Sequence, residues 1–242
     1  MRAPVTYERS GSVSKIVMDD GKANVVSLGM LAALNVAFDQ AERDKTVVVL
    51  CARGKHFSVG LDLNVFTNGS AADIYGTVKG GADLALRILS FPTPVVTSCH
   101  GNAFPMGALL ILASDFRFGA NAPYRIGLNE VAIGLVLRSF GIEIARQRLN
   151  PAYFTRAVLT GEMFEPAEAL TAGFFDRLVP AADLERLAME KAQDLSKISM
   201  ASYATIKSLA RKDIISAIRR MIDEELTMKY AEDRVTKRAV AS

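Results

Sequence analysis

Two short runs limit what this chain can fold into. Val47-Val48-Val49-Leu50-Cys51 shows no polar alternation, so a strand made from it must be buried on both faces. Val95 to Ser98, led in by Pro92-Thr93-Pro94, reads as a second buried strand. Such strands belong to sheets covered by helices on both sides, and the sequence between them supplies those helices. Ser27 is placed to cap a helix running to about Asp44, with Leu31, Leu34, Phe38 and Ala41 on one face. Ala71 to Leu89 reads as a second helix, interrupted at Gly80-Gly81. Val13 to Met18 and Asp115 to Phe118 add strands, and Ala52 to Gly60 reads as a glycine-containing loop. The alternation predicts an α/β core of repeated ββα-like units over residues 1–180. From Pro180 onward the periodicity is helical only. Residues 181–242 therefore read as a helical region that packs on the core or on a neighbouring subunit, fraying over Thr236 to Ser242.

Composition narrows the chemistry. Against 29 Lys and Arg stand 26 Asp and Glu, a net charge of +3, too weak to argue for nucleic acid. Two histidines, His56 and His100, and two cysteines, Cys51 and Cys99, leave no room for a thiolate metal site or a disulfide framework. We expect no metal. No apolar run approaches the roughly 20 residues that span a bilayer, and the N-terminus lacks the apolar segment of a secretory signal. The expectation is a cytoplasmic protein with no membrane partner. Its chemistry must rest on carboxylates, hydroxyls and the backbone.

Three segments can carry such chemistry. Gly54 to Leu63 (GKHFSVGLDL) follows a predicted strand, and Gly60 allows a tight turn that presents backbone N–H groups to a ligand. Ser98 to Leu109 (SCHGNAFPMGAL) runs from a buried strand through a Gly/Pro turn into an apolar helix starting near Met106 or Gly107. A helix start offers free N–H donors to an oxyanion. Tyr124 to Leu135 (YRIGLNEVAIGL) places one carboxylate, Glu130, among apolar and small residues, where burial raises a carboxyl pKa toward that of a base useful near neutrality. Taken singly, the first two read more readily as ordinary turns and Glu130 as a solvated glutamate.

Together, and in this order, the segments resemble the crotonase (enoyl-CoA hydratase/isomerase) superfamily. The resemblance runs through Lys22-Ala23-Asn24, Phe57-Ser58-Val59-Gly60-Leu61-Asp62, His100-Gly101 to Gly107, Ile126 to Glu130, Leu159-Thr160-Gly161, and Leu178-Val179-Pro180. It implies a crotonase-like spiral of ββα units with a C-terminal α-helical trimerisation region. A homotrimer or dimer of trimers is the expected assembly, and an acyl-CoA thioester the expected ligand, with no cofactor beyond the coenzyme A of the substrate. It also implies that the N–H groups of Leu61 and Met106 hold the thioester oxygen and that Glu130 is the acid/base. Lys22, Ala23, Ser58, Val59, Gly60, Asp62, Leu63, Gly107 and Leu109 are then expected around substrate and CoA, with Lys55 as a second cation near the nucleotide.

Hydratases of the family use two glutamates to activate one water. Here Glu130 matches the second, whereas Leu109 occupies the place of the first. The pattern resembles the Δ3,Δ2-enoyl-CoA isomerases, which have a single glutamate in an I-G-L-N-E context. Enoyl-CoA hydratase and a non-catalytic acyl-CoA-binding protein are the alternatives. Arg138 stands where dienoyl-CoA isomerases have an aspartate; paired with Glu130, it would make that carboxyl more acidic. Glu143 reads as a solvated helix position, or else as a second acid in the pocket.

Overall fold

The computed structural model describes residues 3–241. A hairpin of β1 (Val5–Ser10) and β2 (Val13–Met18) starts the chain. It is followed by α1 (Leu28–Asp44), β3 (Val47–Ala52), β4 (His56–Ser58), α2 (Leu63–Asn68) and α3 (Ala71–Ser90). The middle of the chain forms β5 (Val95–Cys99), β6 (Asn102–Ala103), α4 (Pro105–Ala113), β7 (Phe116–Asn121) and β8 (Ile126–Gly127). Next come α5 (Ser139–Arg148), α6 (Pro151–Phe154), β9 (Met163–Phe164), α7 (Pro166–Ala172) and β10 (Arg177–Pro180). Four helices close the fold: α8 (Leu184–Leu195), α9 (Met200–Ala210), α10 (Lys212–Glu225) and α11 (Met228–Ala241).

The larger sheet has the order β1-β2-β3-β5-β7-β10, and the smaller one β4-β6-β8-β9. Only the β1–β2 pairing in the larger sheet is antiparallel; β2, β3, β5, β7 and β10 run parallel. After the β1–β2 hairpin, the pairs β3/β4, β5/β6 and β7/β8 each place one strand in the larger sheet and the next in the smaller one, and the chain then continues into a helix. Val47, Val48, Val49 and Leu50 are buried, as their unalternating sequence requires. Helix α1 is capped by the Ser27 side chain, which accepts from the Met30 N–H, and Leu31, Leu34, Phe38 and Ala41 face inward.

Four expectations need correction. The hairpin strand β1 precedes Val13–Met18 and was not anticipated. The stretch expected to be a loop up to Gly60 contains β4, which pairs with β6. Helix α3 runs unbroken through Gly80-Gly81. These glycines serve close approach instead: a Cβ on Gly80 would lie 2.9 Å from the Leu31 side chain, and one on Gly81 3.0 Å from the side chains of Leu61 and Met106. Finally, Thr236 to Ala241 is helical rather than frayed; Ser242 lies outside the described residues.

The helical region folds back over the core. Helix α8 packs across β2, β3, β5 and β7, α10 lies against α3 and α5, and α11 lies along α3. A nearly buried ion pair fastens it, Lys207 Nζ to Asp115 Oδ2 at 2.7 Å, with Arg211 3.0 Å from the other Asp115 oxygen. Among the described residues no helix is long and apolar enough to cross a membrane.

Candidate active site

The site is built where three loops leave their strands and are bonded to one another. Asn24, in a left-handed conformation (φ 53°), donates through Nδ2 to the carbonyls of Arg53 and His56, both at 2.8 Å. The Val59 N–H donates to Ala23 O (3.2 Å), and the Val26 N–H to Gly60 O (2.8 Å). Ser58 is fully buried; its hydroxyl donates to Asn24 O at 2.6 Å and accepts from the Gly60 N–H. The Phe104 N–H then donates to Ser58 O at 2.9 Å, which locks the second loop onto the first. The two histidines also serve this framework: His100 Nε2 lies 2.8 Å from Gly54 O, and His56 Nδ1 3.1 Å from the Asn102 amide.

This framework sets Gly60-Leu61 against the start of α4. Gly60 has φ +93°, and a Cβ there would lie 3.5 Å from the Met106 nitrogen. Pro105 opens α4 as its first residue. Met106 therefore lies in the first turn, where N–H groups have no intrahelical acceptor. Gly107 packs so tightly that a Cβ would come within 2.6 Å of Ser58 O.

The third loop brings the carboxylate. After β8, Asn129 and Glu130 lead into a single 3₁₀ turn, Val131–Ile133. Leu61, Met106, Leu109, Asn129 and Glu130 all line one cavity of about 200 Å³. Glu130 Oε2 and Asn129 Oδ1 are buried without a hydrogen-bond donor among the described residues. Burial pushes the Glu130 carboxyl up to about 7, because the charged form loses its hydration and gains no cation. Arg138 does not pair with it; its guanidinium lies over the Tyr230 ring instead. Glu143 is outside the cavity lining and is bonded to Arg146 and Gln147 on its own helix.

Of the residues expected at the site, Val59, Gly60, Leu61, Leu63, Met106, Leu109 and Glu130 line the cavity. Ser58 and Gly107 lie behind it as packing. Asp62 caps α2 by accepting from the Asn64 N–H. Lys22 and Lys55 are exposed on the surface beside the first loop, where Ala23 holds Val59. Sequence reasoning missed Asn129, although it sits next to Glu130. It also missed Phe66, Tyr230 and Arg234, which line the cavity as well. Tyr230 and Arg234 are four residues apart on α11 and so share a helix face, but nothing local says that this face returns to the site. No group of three His, Cys, Asp or Glu side chains is gathered for a metal among the described residues.

A two-sheet spiral whose loops and central helix start converge on a single buried carboxylate defines an enzyme of the crotonase superfamily, and comparison with known proteins bears this out. The chain belongs to the enoyl-CoA hydratase/isomerase family, whose pattern matches residues 8–239. It is 32% identical to the carnitinyl-CoA dehydratase of Salmonella typhi over 207 residues, 84% of this chain and 78% of that one. It is 28% identical to the human mitochondrial enoyl-CoA delta isomerase 1 over 221 residues, 90% of this chain and 73% of the other. The crystal structure of an enoyl-CoA hydratase from Mycobacterium ulcerans superposes with a TM-score of 0.89 at 36% identity, covering 96% of this chain and 99% of that one.

Proposed function

We propose that this protein is a Δ3,Δ2-enoyl-CoA isomerase in which Glu130 is the sole acid/base. The observation that carries the reading is the composition of the cavity wall: Glu130 is its one carboxylate, and Leu109, which by the resemblance in sequence holds the place of a hydratase's other glutamate, lines the same cavity. A 3-enoyl-CoA would enter with its thioester oxygen between the N–H groups of Leu61 and Met106. Ionised Glu130 removes a proton from C2. The electron pair delocalises over the thioester and the former double bond, and the two N–H groups stabilise the oxyanion of this dienolate. Protonated Glu130 then delivers the same proton to C4, which leaves the double bond between C2 and C3. One base suffices, and the reaction consumes no water.

The buried position of the carboxyl suits both halves of the cycle. With a pKa of about 7, Glu130 is partly ionised at neutral pH and is a better proton acceptor than an ordinary glutamate. Leu109, 2% exposed, keeps water from the dienolate. The pantetheine and nucleotide are assigned to the surface near Ala23, Lys22 and Lys55. No cofactor is needed beyond the coenzyme A of the substrate.

The identity to carnitinyl-CoA dehydratase supports a second reading, addition or removal of water at C2 and C3. It requires a partner for Glu130 in holding water; the cavity wall offers no second carboxylate, and its nearest polar neighbour in sequence is Asn129. Offering the protein a 3-enoyl-CoA and a 2-enoyl-CoA in parallel separates the two: the isomerase converts the first and leaves the second unhydrated.

A further inference from the structure

Three charged residues line the cavity: Glu130, Arg138 and Arg234. The two arginines come from different elements, Arg138 from the residue before α5 and Arg234 from α11. Each guanidinium rests on an aromatic face. Arg138 lies 4.2 Å from the Tyr230 ring centroid, and Arg234 lies 5.5 Å from that of Phe66. Both rings are themselves part of the cavity wall.

Neither arginine makes an ion pair with a carboxylate among the described residues, unlike several others. Arg87, Arg117, Arg156 and Arg186 are each paired with Asp or Glu. Arg238, one turn beyond Arg234, spends its donors on the carbonyls of Phe66 and Gly69. Glu225, the acid at this end of α5, accepts from the Ser139 N–H. Two half-buried cations thus face a mostly apolar space with their charge uncompensated. Stacking on a ring fixes the plane of a guanidinium but leaves its N–H edge free. That edge matches a carboxylate in a two-point contact. A plain hydrocarbon chain would remove water from both groups and return nothing.

We propose that the acyl group accepted by this site carries a carboxylate at the end remote from the thioester, held by Arg138 and Arg234. This rests on the reading that an acyl thioester occupies the cavity with its reacting carbons at Glu130. A CoA phosphate has similar chemistry, but Arg138 shares the cavity with Glu130, while the surface assigned to CoA lies at Lys22 and Lys55.

The test is binding, so that it does not depend on turnover. Saturated four-, six- and eight-carbon acyl-CoAs, each with a methyl end and with a carboxylate end, are titrated calorimetrically into the full-length protein. At one chain length the carboxylate form should bind at least about tenfold more tightly than its methyl partner, as expected for one charge-assisted contact. Arg138→Gln and Arg234→Gln should each bring that ratio toward one, and Arg138→Lys should restore part of it. Circular dichroism confirms that each variant is folded. The proposal is overturned if no chain length shows a preference. It is equally overturned if both members of each pair weaken together in the variants while dephospho-CoA thioesters do not, which would assign the arginines to a phosphate. A wild-type protein that shows the preference yet isomerises no 3-enoyl-CoA refutes the isomerase reading and leaves this one standing.

Discussion

Arg138 lies on the face of Tyr230, 4.2 Å from the ring centroid, and not on Glu130. The difference decides the chemistry of the site. An arginine beside Glu130 would hold its carboxyl in the ordinary acidic range or below. With the guanidinium on the Tyr230 ring of α11, burial outweighs a backbone hydrogen bond that favours the charged form, and the Glu130 carboxyl rises from 4.5 to about 7. A helix remote in sequence therefore holds the nearby cation on its own ring and leaves the Glu130 carboxyl without one.

That rise has a sign in stability. Between pH 4.5 and 7 the folded chain holds a proton on Glu130 that the unfolded chain has released, so this group's contribution falls as pH increases. Glu130→Gln removes the effect. The variant's stability relative to wild type should grow by on the order of 3 kcal/mol from pH 4.5 to 8, read by urea unfolding at a series of pH values. A difference independent of pH would show that the carboxyl is not raised.

Gly60 tests the backbone donors. It has φ +93° and sits against the Met106 nitrogen, so Gly60→Ala must twist the loop carrying the Leu61 N–H. Misplacing one oxyanion donor typically costs about 10²–10³ in kcat, and that is the expected loss, with KM for 3-enoyl-CoA changed far less. An equal loss in kcat and in folded fraction by circular dichroism would point to misfolding instead.

Leu109 is assigned to exclude water. Its side chain is 2% exposed, and Leu109→Ala should lower stability by about 2–4 kcal/mol. The opened space faces Glu130, so the ratio of hydrated product to isomer should rise. A variant that isomerises with no more hydration than wild type would remove this role from Leu109.

Assembly is testable on α9, where Ile206 and Leu209 are 65% and 70% exposed. The resemblance in sequence assigns this helical region to trimer formation, and large apolar side chains left in water on it suit that role. Sedimentation should give a particle of three chains or a multiple of three, and Ile206→Asp with Leu209→Asp should dissociate it. A monomeric wild-type protein would contradict the assignment.

Much of this molecule could be read from local pattern. The unalternating run at Val47 could only be a strand covered on both faces, and Ser27 marked the start of α1. Glu130 stood out as a lone carboxylate in an apolar segment. What escaped was set by distance in the chain. Strands β4, β6, β8 and β9 are two or three residues long and exist only through one another. Gly80-Gly81 read as a break because the crowding that requires them comes from Leu31, Leu61 and Met106. Tyr230 and Arg234 join the cavity only because α11 folds back along α3.

The central claim is that Glu130 moves a proton from C2 to C4 without adding water. Purified wild type and Glu130→Gln should be given a 3-enoyl-CoA and a 2-enoyl-CoA across pH 5.5 to 8.5. The account predicts isomerisation of the first by wild type, with kcat/KM rising through a pH of about 7, and a loss of about 10²–10⁴ in the variant. Hydration of the 2-enoyl-CoA at a comparable rate, or full isomerisation by Glu130→Gln, would contradict it.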